Sequence, residues 1–567
     1  MPLAEPIRIT TDVLVVGGGC AGMFAALYAV REGVDVLLLD KNFVGRGGAT
    51  IMAQMTCASA LGEAEADSPE LHLADTLEAG RGLCDPSLAA LICTESPGRI
   101  RELRDWKVNW ARAPNGSLSQ VLAPGHRRKR CVYVDFLATG VAISAALRNQ
   151  TARHSGIRTV NNLCLTDLIL RDGAVVGAVG INIATADPVT IEAKSVVLAS
   201  GGMMKLFRRT TAPNNNSGDG LGMALRAGAE AVDVEFLQFY PNGHLAPRMV
   251  GLDPTTWEPA RVKLGGRLLN GLGEEFLPRY GDSGEGYNTT RDLLTYAITN
   301  EVAEGRGTPH GGVYLSFQHV PTETVAAALG PVLEVFERNG IDLARAPVEI
   351  APIAHYQMGG LRVGTDMSTS LPGLYAAGEI VGGANGANRL SGNALPEAMV
   401  FGGIAGTEAA RHGRREPADA LGSGVDADAI DEIHRVKARG SAGANGRSPI
   451  AMMGELKELM WTKVGAFRTG RELGGAHARL LAMRDAEIDD LSVGPETVHN
   501  ASLVEWFELR NGLAAAEAVA IAALNRQESR GAHQRTDFPD AREEFAYSQQ
   551  VVLEGDRVTT RFMARAA

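Results

Sequence analysis

Residues 11–40 read TDVLVVGGGCAGMFAALYAVREGVDVLLLD, and this stretch decides the fold. An apolar strand runs into a glycine turn, a helix follows, and a second apolar strand ends at Asp40. Gly17, Gly19 and Gly22 fit the GxGxxG spacing, in which missing side chains let a pyrophosphate approach the amides at a helix N-terminus. Asp40 lies where a carboxylate accepts hydrogen bonds from an adenosine ribose. The pattern predicts a dinucleotide site and leaves FAD and NAD both open.

A second glycine-rich block extends over residues 370–406 and reads TSLPGLYAAGEIVGGANGANRLSGNALPEAMVFGGIAG. It predicts a short strand before Glu379, then a glycine loop and a helix. A fingerprint near the N-terminus and a second glycine block late in the chain suit an FAD that lies extended across one domain. The distance between the two blocks implies that a second domain is inserted between the halves of the first.

Bulk composition narrows the class of protein. The chain has 567 residues, 45% hydrophobic and 21% charged, so several globular domains are expected. A net charge of -11 argues against a nucleic-acid partner, because phosphate binding needs concentrated Lys and Arg. The basic run HRRKR at residues 126–130 is predicted to be a solvated loop, with anion contacts through Arg127 and Arg128 as the alternative.

Cysteines and apolar runs exclude further classes. The six cysteines include no CxxC pair, which predicts neither a disulfide framework nor a zinc or iron-sulfur site in this chain. No stretch approaches the ~20 uninterrupted apolar residues of a membrane span. The N-terminal residues MPLAEPIRITTD lack the layout of a secretory signal, so we expect a cytoplasmic protein.

A series of further motifs runs through the rest of the chain. In order, they are ATIMAQMTCASALG (49–62), NNSGDGLGMAL (215–225), EFLQFYPNG (235–243), GGRLLNGLGEEFLPRY (265–280), TRDLLTYAI (290–298), AHYQMGG (354–360), GLYAAGE (373–379), GANRLSGNAL (386–395) and ESRGAHQRTDFPD (528–540). With the glycine fingerprint, these motifs resemble the flavoprotein subunits of the succinate dehydrogenase and fumarate reductase family. That family includes L-aspartate oxidase and the adenylylsulfate reductase alpha subunit. The resemblance covers nearly the whole chain.

The resemblance implies an α/β fold, with a Rossmann-like FAD-binding domain, an inserted α+β capping domain and a C-terminal helical domain. Residues 1–240 and 356–410 would form the two parts of the FAD-binding domain. Residues 241–355 would form the capping domain, which closes over the substrate and expels water. Residues 411–447 are predicted to be a polar linker, and residues 448–567 a helical domain with a strand-like tail.

The resemblance also implies that the cofactor is FAD. Covalently flavinylated members carry a histidine where this chain has Ala49, which has no nucleophilic ring nitrogen, so we expect noncovalent binding. The residues expected to bind the cofactor are Gly17, Gly19, Cys20, Ala21, Gly22, Asp40, Lys41, Gly48, Ala49, Thr50, Gly201, Asp219, Glu379, Asn393, Ala394 and Leu395.

The chemistry implied by the resemblance is hydride transfer at flavin N5 with a proton donor on the opposite face of the substrate. Arg291 of TRDLLTYAI matches the donor, and Glu258 and Arg261 of WEPAR match a relay that replaces its proton. Because free arginine has a pKa above ~12, it can act as an acid only within such a preorganised chain. The alternative is an ordinary ion pair of Arg291 with Asp292 or Glu301.

The substrate side matches the family only in part. Members that act on four-carbon dicarboxylates grip one carboxylate with a histidine and an arginine, matched here by His355, which would also help polarise the alkene, and Arg389. The residues that meet the other carboxylate are replaced by Tyr240 and Trp257, which mainly offer flat apolar area. We therefore expect the far half to receive something other than a plain second carboxylate. His244 is the nearest candidate for a compensating donor, with a solvent-facing loop histidine as the alternative.

Three functions stay open at this point. The first is a noncovalent FAD enzyme that oxidises or reduces a CH-CH bond next to a carboxylate. The second is amine oxidation of an aspartate-like substrate, and the third is an electron-transfer subunit of the adenylylsulfate reductase type. The expected partners are a small carboxylate substrate and, if electrons leave singly, an iron-sulfur subunit. Any association with a membrane would come through that partner.

Overall fold

The computed structural model describes residues 6–135, 138–249, 257–281, 289–415, 425–439, 446–496 and 498–563. Its strands are β1 (Ile7–Val16), β2 (Val36–Leu39), β3 (Cys57–Ala58), β4 (Gln120–Val121), β5 (Cys131–Val132), β6 (Ile157–Val160), β7 (Leu163–Arg171), β8 (Ala174–Asn182), β9 (Pro188–Leu198), β10 (Ala231–Val232), β11 (Leu237–Ala246), β12 (Arg267–Leu269), β13 (Val313–Ser316), β14 (Val348–Gln357), β15 (Gly360–Leu361), β16 (Leu374–Ala376), β17 (Phe467–Arg468), β18 (Gln534–Arg535), β19 (Gln549–Glu554) and β20 (Arg557–Phe562).

The helices alternate with these strands in the first half of the chain and dominate its C-terminal part. They are α1 (Cys20–Arg31), α2 (Gly48–Met52), α3 (Pro69–Ala79), α4 (Pro86–Asp105), α5 (Thr139–Thr151), α6 (Asp219–Arg226), α7 (Trp257–Leu264), α8 (Arg291–Glu301), α9 (Thr322–Leu329), α10 (Pro331–Arg338), α11 (Ala394–Gly413), α12 (Ala427–Arg439), α13 (Pro449–Lys463), α14 (Gly470–Ala482) and α15 (Ala501–Asn525). Across the described ranges, no helix has both the length and the apolarity needed to cross a membrane.

The main sheet carries the glycine fingerprint. β1 lies in parallel between β2 and β9, while β6 pairs with β2 and β16 with β9, also in parallel. β7 and β8 add an antiparallel edge beyond β9. Val13–Val16 of β1 are buried without alternation, as expected for a central parallel strand covered on both faces. The second glycine block thus returns to the same sheet through β16, as the split arrangement predicts.

Two helices of this domain approach each other so closely that glycine is needed at their contact. A Cβ on Gly402 of α11 would lie 2.3 Å from the carbonyl oxygen of Ala21 in α1. One on Gly406 would lie 2.1 Å from that of Ala25. Side chains at either position would push the helices apart. Since the first residues of both helices line the same cavity, this packing brings two helix N-termini to one ligand.

The capping domain is inserted between β11 and β14. These two strands pair in antiparallel fashion, and β13 and β12 extend their sheet. Trp257, Phe317 and Phe336 belong to a separate hydrophobic core under this sheet. The boundaries predicted at residues 241 and 355 fall inside β11 and β14, because these strands carry the chain out of one domain and back into it.

The segment predicted as a polar linker, residues 411–447, contains helix α12. Ile430, Ile433 and Val436 are its buried residues, at the three-residue spacing of one helix face. The charged residues between them conceal this stripe, which explains why composition alone indicated a linker. In addition, Asp426 accepts a hydrogen bond from the Thr190 hydroxyl at 2.7 Å, which fixes the start of the helix to β9.

The C-terminal domain consists of α13, α14 and α15, followed by the hairpin of β19 and β20. β19 pairs with β10 and so joins the tail to the FAD-binding domain. Arg526, fully buried just after α15, donates to Glu235 at 2.6 Å and to Glu528 at 3.1 Å. A buried arginine with two carboxylate partners makes the orientation of this domain specific.

Candidate active site

One cavity runs from the glycine turn after β1 to the capping domain. Its capping-domain end is lined by Tyr240, Arg291, His355 and Arg389. These four residues, which come from two domains, were expected from sequence motifs. They therefore line the same cavity as the glycine turn.

Most of the residues expected to bind the cofactor line this cavity. They are Gly17, Gly19, Cys20, Ala21, Asp40, Gly48, Ala49, Thr50, Gly201, Glu379, Ala394 and Leu395. Within the cavity wall, the Thr50 hydroxyl accepts from the backbone N–H of Cys20 at 2.9 Å, and the Asp40 carboxylate accepts from that of Gly18 at 2.7 Å. Both contacts hold the turn open where phosphates would approach the amides.

The other four expected cofactor residues lie behind or beside the cavity. Gly22 supports the turn, because a Cβ there would lie 1.8 Å from the carbonyl oxygen of Gly17. Lys41 and Asp219 form an ion pair at 2.9 Å and line a smaller adjoining cavity that also includes Asp40. Asn393 is fully buried and its side chain bonds to the His72 ring, so its contact with the cofactor stays a prediction.

The cavity wall fits a bound dinucleotide in two respects. Gly17 has φ +110° and Gly201 has φ +79°, conformations that favour glycine and leave the backbone open to a ligand. Moreover, Oγ of Ser200 and Oε1 of Gln54 are buried in this wall with no hydrogen-bond partner among the described residues. Buried polar atoms are normally hydrogen-bonded, so these atoms point to a ligand that completes the site.

The predicted proton donor and its glutamate are in direct contact. Arg291, the first residue of α8, donates through Nη2 to Oε2 of Glu258 at 2.6 Å and through Nε to Oε1 at 3.1 Å. This two-bond contact fixes the plane of the guanidinium. Burial acts to lower the pKa of Arg291, but the Glu258 carboxylate outweighs burial, and the net effect is a raised pKa. Glu258 is therefore the group that governs the charge on Arg291.

The rest of the predicted relay lies on α7. Arg261 is buried and follows Glu258 by three residues, which places both on one face of this helix. Tyr240 fixes the start of α7, because its hydroxyl oxygen accepts from the backbone N–H of Glu258 at 2.9 Å. The Tyr240 ring also lies 5.3 Å from the Arg291 guanidinium. Tyr240 thus contacts the predicted relay through its oxygen and is also one of the residues that line the cavity.

Two cationic side chains meet at one amide oxygen. Oε1 of Gln238 accepts from Nη1 of Arg291 at 3.2 Å and from Nη2 of Arg389 at 2.9 Å. The Gln238 amide is held in this orientation because its Nε2 donates to Asn388 and to the Arg389 carbonyl. Burial, and then the charge on Arg291, lower the pKa of Arg389 to about 10, which leaves it protonated at neutral pH. Its Nε is buried and has no partner among the described residues, as expected of a group that awaits a carboxylate.

His355 completes the cluster. The Thr211 hydroxyl is hydrogen-bonded to Nδ1 of His355 at 2.8 Å. The centroids of the Tyr240 and His355 rings lie 5.3 Å apart. Burial, followed by the charges of Arg291 and Arg389, holds the pKa of His355 well below its usual value. The imidazole is therefore neutral near pH 7, and it can give one hydrogen bond without adding a third positive charge.

Trp257 and His244 are placed elsewhere, which corrects the expectation that they meet the substrate. Trp257 is fully buried in the capping-domain core, stacked on Phe336 with ring centroids 4.8 Å apart. Its indole N–H donates to Nδ1 of His244 at 2.9 Å, and Nε2 of His244 bonds to the Pro247 carbonyl. Both ring nitrogens of His244 are therefore engaged inside the capping domain.

The basic run at residues 126–130 is largely structural. Arg130 is fully buried and pairs with Asp67 at 2.9 Å and with Asp75 at 2.6 Å. His126 bonds to the carbonyl of Ser391, a cavity-lining residue. Arg127 pairs with Glu78 at the surface. Through His126, the basic run thus supports the loop before α11. The prediction of a solvated loop holds only for the exposed residues 127–129.

Gln238 and Thr211 belong to the site but were not expected from the sequence. A signal for Gln238 was present, because it stands two residues before Tyr240 on β11, and residues two apart on a strand share a face. Thr211 carries no comparable signal, since its contact with His355 joins positions 144 residues apart in the chain.

Comparisons with known proteins find relatives over nearly the whole chain. A family model described as "FAD binding domain" matches residues 12–395, and one described as "Fumarate reductase flavoprotein C-term" matches residues 453–564. One subunit of the fumarate reductase (CoM/CoB) of Methanothermobacter marburgensis is 36% identical over 557 residues, covering 98% of each chain. L-aspartate oxidase of Streptomyces coelicolor is 34% identical and covers 96% of this chain and 91% of its own.

A solved structure shows the same arrangement of the whole chain. The flavoprotein of Escherichia coli quinol fumarate reductase superimposes with a TM-score of 0.90 at 26% identity. The match covers 99% of this chain and 98% of the other. The cavity described above therefore lies in a fold shared over its full length with that protein.

Removal of the shared amide should weaken the cluster. In Gln238→Leu, two buried guanidiniums lose an acceptor, which should lower the free energy of unfolding by ~1–3 kcal/mol. Thermal unfolding of the FAD-loaded protein measures this loss. Gln527→Leu, at an exposed glutamine just after α15, is the matched control and should stay within ~0.5 kcal/mol of the wild type. Equal stability of the two variants would show that the cluster does not depend on Gln238.

Proposed function

The chain belongs to the FAD-dependent flavoprotein family of fumarate reductases and succinate dehydrogenases, and we propose that it acts on a carbon-carbon bond adjacent to a carboxylate. One observation carries this proposal. Arg291, which contacts Glu258, lines the same cavity as Arg389 and His355, and this cavity reaches back to the glycine turn. A proton donor and a carboxylate grip thus face one space. A carboxylate in that space would neutralise the charge that Arg291 and Arg389 share.

We assign a separate task to each side chain of the cluster. FAD, when bound, supplies or accepts the hydride, and Ala49 in the cavity wall leaves it noncovalently held. Arg389 binds the substrate carboxylate, and His355 orients the same end of the molecule as a neutral donor. Arg291 gives a proton to the carbon that does not receive hydride, or takes it in the reverse direction.

The Arg291 assignment depends on the residues behind it. An arginine with a raised pKa is a weak acid, so its proton must be replaced as it leaves. Glu258 is in position to return a proton through either of its two contacts with Arg291, at 2.6 and 3.1 Å. Arg261, one helical turn further on α7, is the expected next member of this chain. The capping domain supplies all three residues, which makes its closure part of catalysis.

Tyr240 is the basis for a proposal on substrate choice. It lines the cavity, its hydroxyl oxygen accepts from the backbone N–H of Glu258, and the rest of its side chain is an aromatic ring. A flat apolar face favours an uncharged or apolar end of the substrate over a second carboxylate. We therefore propose an alkenoic acid, or its saturated form, whose far end is not a plain carboxylate.

Electron exchange needs a further partner. Relatives of this chain carry the name "fumarate reductase flavoprotein subunit", which describes one part of a larger assembly. We propose that an iron-sulfur subunit exchanges electrons with the flavin in this protein too. Among its described residues, no group of three or more His, Cys, Asp or Glu side chains could hold a metal ion, so the cluster would belong to the partner.

Arg291→Lys is the direct test of the proton donor. Lysine keeps the positive charge but cannot make both contacts to Glu258, so turnover should fall by ~100-fold or more while FAD stays bound. Turnover is measured anaerobically with reduced viologen as electron donor and a panel of alkenoic acids as acceptors. Arg208→Lys, at a surface ion pair with Glu458, is the control and should keep wild-type rates. Wild-type turnover in Arg291→Lys would remove the assignment.

Tyr240→His tests the choice of substrate. An imidazole restores the donor that dicarboxylate-reducing relatives use, so kcat/KM for fumarate should rise relative to that for a monocarboxylate alkene such as crotonate. A shift of ~10-fold in the ratio corresponds to one gained charge-assisted hydrogen bond. A separate assay in air with L-aspartate as electron donor and oxygen as acceptor, followed by peroxide formation, covers the activity of the aspartate oxidase relatives. An unchanged ratio would show that Tyr240 does not select the substrate.

A further inference from the structure

A buried carboxylic acid lies behind the carboxylate grip and has no task in the proposed chemistry. Glu397 stands in the first turn of α11 and is fully buried. Its Oε2 accepts from the Tyr356 hydroxyl at 2.8 Å and from Nδ2 of Asn385 at 2.7 Å. Its Oε1 is buried with no hydrogen-bond partner among the described residues. One side of this carboxyl group is thus fixed, and the other is free to carry a proton.

Tyr356 connects Glu397 to the substrate-binding arginine. The guanidinium of Arg389 lies 4.2 Å above the Tyr356 ring, whose hydroxyl is bonded to Glu397. A phenol that donates to a carboxylate gains electron density in its ring, which strengthens its attraction for a cation. The charge state of Glu397 therefore acts on Arg389 both through space and through this ring.

The charged and titratable groups that face Glu397 come from several elements. They are Tyr356 of β14, Glu379 after β16 and Arg389 of the loop before α11, and Arg291 of α8 faces Arg389 in turn. Burial raises the pKa of Glu397 to about 7, and the hydrogen bonds from Asn385 and Tyr356 together with the charge of Arg389 limit the rise. Near neutral pH, the protonated and ionised forms of Glu397 therefore both occur.

An acid in the first turn of a helix also has a purely structural explanation, because it interacts favourably with the helix dipole. That interaction is electrostatic and needs no particular side chain as a hydrogen-bond partner. Glu397 instead bonds to two side chains, one of which stacks under Arg389. The geometry therefore links Glu397 to the substrate site more closely than to its own helix.

We propose that Glu397 takes up a proton when a carboxylate ligand binds to Arg389. The inference rests on the proposed function, since it needs a carboxylate in this position. The incoming anion supplies the countercharge that Arg389 otherwise shares with Glu397, and a second carboxylate beside one buried guanidinium raises the pKa of the first. The solvent provides the proton, which adds to a Glu397 oxygen, and no other bond is made or broken. Glu397 is thus a positioning residue that couples substrate affinity to pH.

The sign of the pH dependence follows from linkage. A ligand that raises the pKa of Glu397 binds together with a proton, so it binds best at a pH at which Glu397 is already protonated. The dissociation constant should be constant well below about pH 7 and should rise as the pH increases through that value. It levels off again above the pKa of the ligand-bound form. Arg389 stays protonated throughout this range and does not contribute.

The test measures binding and proton uptake on the oxidised FAD-loaded enzyme. Malonate and phenylacetate are the probes, because neither has a CH-CH bond to oxidise, and binding is followed by the change in the flavin spectrum. The dissociation constant should rise about threefold or more between about pH 6.5 and about pH 8.5. A pH indicator in weak buffer should show uptake on the order of half a proton per site at about pH 7.

Two variants separate Glu397 from other titrating groups. Glu397→Gln keeps an acceptor for Tyr356 and Asn385 but cannot titrate, so the uptake and most of the pH dependence should disappear. Tyr356→Phe removes a hydrogen bond that lowers the pKa of Glu397, so the pH dependence should remain and move to higher pH. Glu230→Gln, at a surface ion pair with Arg362, should behave as wild type.

The outcomes distinguish this inference from the proposed function. Binding of either probe with equal proton uptake in wild type and Glu397→Gln would overturn the role of Glu397 and leave the carboxylate site intact. An unmoved pH profile in Tyr356→Phe would also overturn it. If neither probe perturbs the flavin spectrum at any pH, the site does not bind carboxylates, and the proposed function fails together with the inference.

Discussion

The active site depends on two buried guanidiniums that share one amide oxygen. Arg291 and Arg389 belong to different domains, and Gln238 accepts a hydrogen bond from each. Two positive charges that share one acceptor in a buried site are tolerated only if anionic or polarisable groups surround them. Glu258 performs this role for Arg291, and the Tyr356 ring with Glu397 behind it does so for Arg389. When Glu397 is protonated, an anionic substrate would take its place as the partner of Arg389.

The fold brings these groups together through a few contacts that are remote in sequence. The β11–β14 pair joins the two domains and carries Gln238, Tyr240, His355 and Tyr356. α8 begins at Arg291 and packs beside β11, while Arg389 lies on the loop that leads into α11. Close packing of α1 on α11 then directs this loop and the nucleotide turn towards the same cavity. The substrate-side residues and the nucleotide turn are thus positioned by the same packed elements. The inserted capping domain therefore does not move them into separate cavities.

Local motifs predicted the nucleotide turn and the split FAD-binding domain, and the contact between Arg291 and Glu258 was expected through the resemblance to a known family. Each of these depends on residues whose chemical type is unusual at its position, such as glycine at a positive φ or an arginine at a buried helix start. Trp257 and His244 could not be placed in the same way, because their orientation is set by the capping-domain core around Phe336. The sequence did not predict site roles for Gln238 and Glu397, because these roles depend on contacts with segments that are distant along the chain. Helix α12 was hidden by the charged residues between its three buried ones.

Reoxidation of the flavin by a substrate tests the central claim most directly. The purified holoenzyme is reduced without oxygen, separated from excess reductant and titrated with fumarate, with monocarboxylate alkenes and with adenylylsulfate, while the oxidised flavin band is followed. A carbon-carbon double bond conjugated to a carboxylate should restore this band, and a saturated acid of the same length should not. Failure of every such alkene in an enzyme whose flavin is still reoxidised by oxygen would contradict a site built from Arg291, Arg389 and His355 for this reaction.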